Sequence, residues 1–232
     1  MSIKENIALV RANIERAAAE VKRSASEITL VGASKMNDAA ACREAIAAGI
    51  DALGENRVQE MTQKLAEHAY DGAPLHFIGH LQRNKVKMVV GKVALIESVG
   101  SDELLSLIDA QAGRLQIVQD ILLEVNIGEE VAKSGFAASD LPAAAEAAKS
   151  LSHVRVRGLM CIPPVAEDEH GSIPYFEKVH ALFVDINKKL YDNRLDILSM
   201  GMSGDYEDAV RTGATMVRVG TAIFGHRDYT IS

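Results

Sequence analysis

The stretch ITLVGASKMND, residues 28–38, decides the fold. Residues 28–34 are an apolar run without the polar alternation of a half-exposed strand, so they read as a β-strand covered on both faces. The run closes on Lys35, and DAAACREAIAAG at 38–49 follows as a helix, with Asp38 at its N-cap and Gly49 at its C-terminal end. A buried strand followed directly by a helix is one βα unit.

The same grammar recurs along the chain. DALGEN (51–56), LHFIG (75–79), VALIESV (93–99), DILLEVNI (120–127), VRVRGLMCI (154–162), DILSMGM (196–202) and TMVRVG (215–220) bring the candidate strands to eight. Helical patterns lie between most of them, among them SDELLSLIDAQA, DLPAAAEAAKSL, PYFEKVHALFVDINKKL and DYEDAVRTG. Eight near-continuous apolar strands separated by helices fit an α/β fold, a closed (β/α)8 TIM barrel; on pattern alone an open doubly wound sheet is the competing arrangement. Ile3, Ile7, Val10, Ile14 and Val21 place an amphipathic helix ahead of the first strand.

Composition bounds the rest. The chain has 232 residues, 48% of them hydrophobic, and its five prolines mark no linker, so one domain over 1–232 is expected. A net charge of -7 argues against binding to phosphate backbones, and the basic cluster RNKVK at 83–87 is too short to reverse that. No window approaches the roughly 18 apolar residues of a membrane span, and the charged amphipathic N-terminus is unlike a signal peptide. A soluble cytoplasmic protein with no nucleic-acid or membrane partner is expected. Cys42 and Cys161 lack metal-ligand spacing and read as small core residues.

In a barrel, ligand-binding side chains close the strands at their C-terminal ends. The residues there are Lys35, Glu55 and Asn56, His80, Glu97, Glu124 and Asn126, Met160, Ser203, and Arg218 with Thr221. A partly desolvated Lys35 would hold more neutral amine for attack on an aldehyde; a lysine that snorkels to the rim and stays charged fits one residue equally. SMGMSGD (199–205) brings serines and glycines to the end of strand seven, where backbone N–H groups and hydroxyls can gather an anion, and Gly220 and Thr221 would complete the site. Those glycines also suit plain tight turns. In a closed barrel strand one adjoins strand eight, which would put an amine and a phosphate on one mouth.

Taken together, SK at 34–35, GEN-x-VQE after strand two, HFIG-x-LQ-x-NK after strand three, GLM-x-IPP at 158–164, LSMGMS at 198–203 and VRVGTAIFG at 217–225 resemble the motifs of the pyridoxal phosphate homeostasis proteins, the YggS/PROSC family. The match runs in order from about 28 to 226. The resemblance implies a PLP fold type III barrel, similar to the N-terminal domain of alanine racemase, with pyridoxal 5'-phosphate (PLP) held as an internal aldimine. Lys35 matches the Schiff-base lysine and Asn56 a polar group beside the ring. Ser203, Gly204, Gly220 and Thr221 match the phosphate cradle, and Arg218 the arginine near the pyridine nitrogen. Met160 is expected to line the ring pocket. This chain has Met36 where members often carry proline, and Leu75 where they often carry tryptophan.

A guanidinium at the pyridine nitrogen opposes its protonation and makes the ring a poorer electron sink. Racemisation also needs a second acid or base across the substrate carbon, and the sequence offers no evident source for one. The expectation is therefore a PLP-binding homeostasis protein, monomeric, that holds PLP on Lys35 and releases or passes it on, with PLP-dependent apoenzymes or amino acids as partners. The alternatives are a PLP-dependent amino-acid racemase using a base such as His80 or Tyr206, and a Schiff-base aldolase-type barrel that needs no cofactor.

Overall fold

The computed structural model describes residues 1–130, 134–165, 168 and 170–225. The last residues of the domain expected over 1–232, and the end of the motif match at 226, lie outside the described residues. The strands are β1 (Thr29–Ala33), β2 (Ala52–Glu55), β3 (Leu75–Phe77), β4 (Leu95–Val99), β5 (Gln119–Val125), β6 (Val154–Cys161), β7 (Ile197–Ser199) and β8 (Met216–Val219). They pair in parallel in chain order and close into a barrel, β8 returning to β1 with Val31 opposite Arg218. The open-sheet alternative is thereby excluded.

Among the described residues the helices are α1 (Ile3–Glu20), α2 (Ala39–Ala47), α3 (Val58–Ala66), α4 (Val86–Val89), α5 (Asp102–Arg114), α6 (Leu141–Lys149), α7 (Ile173–Leu190), α8 (Tyr206–Arg211) and α9 (Thr221–Phe224). Asp38 caps α2 by accepting from the Ala41 N–H at 2.8 Å, and Gly49 takes the left-handed conformation beyond it at φ +85, both as the sequence predicts. Residues 83–85 of RNKVK form a short 3-10 turn leading into α4, whose Val86 and Val89 are drawn into the core.

Two apolar layers hold the barrel. Leu30, Leu53, Phe77, Ile96, Ile121, Leu123 and Leu198 face outward into a core shared with the helices. Val31, Ala52, Leu95, Leu122, Met160 and Met216 fill the barrel interior. Phe77 and Phe176 are fully buried, and truncating either to alanine costs about 3–5 kcal/mol.

Helix α1 starts at a capping box, in which Ser2 Oγ accepts from Glu5 N and Glu5 Oε2 accepts from Ser2 N. Its buried Ile7, Val10 and Ile14 pack toward α2, α8 and α9. Asn6 donates to the Ile223 carbonyl at 2.8 Å and Asn13 to the Tyr206 hydroxyl at 2.8 Å, so α1 braces the two helices that follow β7 and β8. Val21, the last residue of the predicted stripe, is instead the exposed C-cap.

Candidate functional site: a cavity at the C-terminal mouth

A cavity of about 400 Å³ opens at the C-terminal ends of the strands. Lys35, Asn56, Ser203, Gly204, Arg218, Gly220 and Thr221, all expected at the site, line it together. Met160 does not: it points into the apolar barrel interior, fully buried, and Ile162, two residues further along the same face, takes the place on the wall. Ala33, Ile78, Gly79 and Met202 complete the lining and were not singled out by sequence, although all lie inside the quoted stretches.

Strand pairing sets the amine beside the serine–glycine loops. The β1–β8 register brings Ala33 against Gly220, where a Cβ would lie 3.5 Å from the Ala33 Cβ and carbonyl. Ser203 Oγ accepts from the N–H groups of Gly220 (3.1 Å) and Ala222 (3.3 Å), tying the β7 loop to the start of α9.

Side-chain parity along β2 separates Glu55 from Asn56. Asn56 lines the cavity, and its Oδ1 is buried with no hydrogen-bond partner among the described residues. The β3 end can approach Asn56 only because residue 79 is glycine: a Cβ there would fall 2.3 Å from the Asn56 carbonyl oxygen. Glu55 turns away, behind the sheet, and is fully buried. Its Oε1 accepts from Lys64 Nζ (2.6 Å), Ser34 Oγ (2.7 Å) and Tyr70 OH (3.1 Å). Burial first, and then the neighbouring Glu55 charge, push the Tyr70 phenol far up.

Arg218 supplies the cavity's buried cation. Its Nη1 donates to Ser199 Oγ at 2.6 Å and its Nη2 to the Cys161 carbonyl at 2.9 Å. Ser199 donates in turn to Glu97 Oε2 at 2.6 Å, and His76 Nδ1 lies 2.8 Å from Glu97 Oε1. Burial would raise the Glu97 carboxyl, but His76, Arg218 and Ser199 together hold it below the ordinary range. Glu124, at the end of β5, has the opposite balance: burial raises it, against the Ser134 hydrogen bond and the positive fields of Arg218 and His80.

The remaining candidates stand elsewhere. His80 lines a separate recess with Arg83, Ser98 and Ser101, and Asn126 bridges to the Glu130 backbone. Tyr206 OH is bound by Asn13, and neither it nor His80 lines the cavity. Cys42 and Cys161 are buried free thiols, with Cys161 pushed up to about 12 by burial. Among the described residues no cluster could hold a metal ion, and no helix is long and apolar enough to cross a membrane.

Comparison with known proteins agrees with this architecture. The profile of the alanine racemase N-terminal domain matches residues 2–228. The pyridoxal phosphate homeostasis protein of Aquifex aeolicus is 40% identical over 229 residues, covering 99% of this chain and 100% of the relative. PipY of Synechococcus elongatus PCC7942, solved with PLP bound, is 34% identical and superimposes with a TM-score of 0.84, covering 97% of this chain and 100% of that one. Alanine racemase of Clostridium difficile 630 shares the fold at 16% identity and a TM-score of 0.75, over 99% of this chain and 57% of the racemase. This chain belongs to the pyridoxal phosphate homeostasis protein family, whose barrel is that of the alanine racemase N-terminal domain.

Proposed function

We propose that the protein binds PLP at this mouth, covalently on Lys35, and serves PLP homeostasis by holding the cofactor and releasing it or passing it on. The observation that carries the reading is the convergence of one amine, one buried guanidinium, one amide side chain and a serine–glycine loop on a single cavity. PLP supplies an aldehyde that condenses with a neutral primary amine: a C=N bond replaces C=O, and the oxygen leaves as water with the two hydrogens of that amine.

Each chain residue then has a part. Lys35 Nζ is the tether. Ser203, Gly204, Gly220 and Thr221 surround the phosphate, for which hydroxyl and backbone N–H donors are the natural partners. Asn56 Oδ1 accepts from the ring side. Arg218, its guanidinium 3.9 Å from a Glu97 carboxylate oxygen, opposes protonation at the ring nitrogen, which favours storage over turnover. In this reading a monomeric barrel over 1–232 works in the cytoplasm, with apoenzymes or amino acids taking the PLP.

Mixing the protein with PLP and recording its absorbance tests the assignment. Wild type should develop a band near that of a lysine-bound PLP, and Lys35→Ala should not; a variant that keeps the wild-type band overturns the assignment. Incubation with single L-amino acids in deuterated water separates storage from racemisation, since chiral inversion at enzymatic rates would replace the storage reading.

A further inference from the structure

We infer that Glu60 and Lys64 of α3 are positioning residues that aim the Lys35 amine into the cavity. The inference rests on the assignment of Lys35 proposed above and adds residues outside the cavity to it. A lysine stem has four rotatable carbons, so the direction of its amine depends on how firmly the backbone on both sides is fixed. Here both sides are held by the same helix.

On the N-terminal side, the Ser34 carbonyl accepts from Lys64 Nζ at 2.8 Å, and the Ser34 hydroxyl donates to Glu55, the ion-pair partner of Lys64. On the C-terminal side, the Met36 N–H donates to Glu60 Oε2 at 2.7 Å. Met36 has φ +62, a left-handed conformation that a side chain with a Cβ seldom adopts without an anchor. Glu60 and Lys64 lie one turn apart on α3, 4.0 Å from carboxylate to amine, so the two grips are coupled. Neither residue lines the cavity.

A purely structural role would change folding stability and leave loading of the folded protein unaltered. A positioning role changes loading while the fold persists. Lys64 is buried, and removing it would strand the Glu55 charge, so Glu60, 23% exposed, is the better probe.

Wild type, Glu60→Ala, Glu60→Gln and Glu60→Ala combined with Met36→Asn are compared by PLP titration, by borohydride reduction with peptide mapping of residue 35, and by thermal melting. Glu60→Gln keeps an acceptor for the Met36 N–H and should load nearly as wild type. Glu60→Ala should melt cooperatively but load about tenfold more weakly, the effect of one lost charge-assisted hydrogen bond. Asparagine tolerates the left-handed region, so Met36→Asn should restore part of that loss. Equal loading of Glu60→Ala and wild type, or an equal fall in the alanine and glutamine variants, overturns the positioning role. Absence of a reduced adduct on Lys35 in wild type overturns the Lys35 assignment itself, and that failure is visible without any variant.

Discussion

Arg218 and Glu97 communicate through one hydroxyl: Ser199 Oγ receives a hydrogen bond from Arg218 Nη1 and gives one to Glu97 Oε2, each at 2.6 Å. A buried guanidinium is tolerable only when its charge and its donors are met, and Ser199 meets both ends at once. Ser199→Ala should therefore cost about 1–3 kcal/mol, read as a lower urea midpoint with an unchanged slope. A midpoint equal to wild type would mean that the two charges satisfy each other without it.

Replacing Glu97 itself should be worse. Glu97→Leu leaves Arg218 and His76 facing an apolar side chain, and an uncompensated buried charge costs about 3–5 kcal/mol. Adding Arg218→Met should recover much of that loss. If the double variant is no more stable than the single one, the charge pair is not the reason.

The Glu97 carboxyl also makes a pH prediction. Because its native-state affinity for protons is depressed, the folded protein binds fewer protons there than the unfolded chain. Its contribution is fully present above the unfolded value, about 4.3, and is lost as pH falls through the lower folded value. Acid unfolding of wild type should steepen in that window, and Glu97→Gln should flatten it.

Glu124 should behave in the reverse sense. Its folded-state affinity for protons is raised, so ionisation at neutral pH destabilises the native state. Glu124→Gln should be more stable than wild type at pH 7, and the difference should close as pH falls below the unfolded carboxylate value. A difference that stays constant with pH would point to packing instead.

Gly79→Ala tests the close approach of β3 to Asn56. The added Cβ would meet backbone at 2.3 Å, so one chain must move, at about 1–3 kcal/mol. If Asn56 contacts PLP as proposed, PLP titration should show weaker binding than in wild type, since Asn56 is the residue displaced.

The barrel was legible because each strand is a short apolar run bounded by helix signals, and its closure because eight such units were present. Of the residues read at strand ends, Lys35, Asn56, Ser203, Arg218 and Thr221 line the cavity, while Glu55, His80, Glu97, Glu124, Asn126 and Met160 do not. What failed was parity: Met160 and Ile162 share a face, and locating the rim two residues further along required the β5–β6 register, in which Glu124 pairs Met160. Glu55 and Asn56, adjacent in sequence, differ for the same reason. Lys64 carries no signal in the sequence, since its burial arises only when α3 folds back over the β1–β2 seam.

The bonds from Gly220 and Ala222 to Ser203 bear on kinetics. In the proposed reading, one hydroxyl already joins the β7 and β8 loops, so little chain entropy should remain to be lost when the phosphate of PLP arrives. Capture would then proceed by docking into a preformed seat, and residence time would be governed by the chemistry at the amine rather than by the opening of a gate.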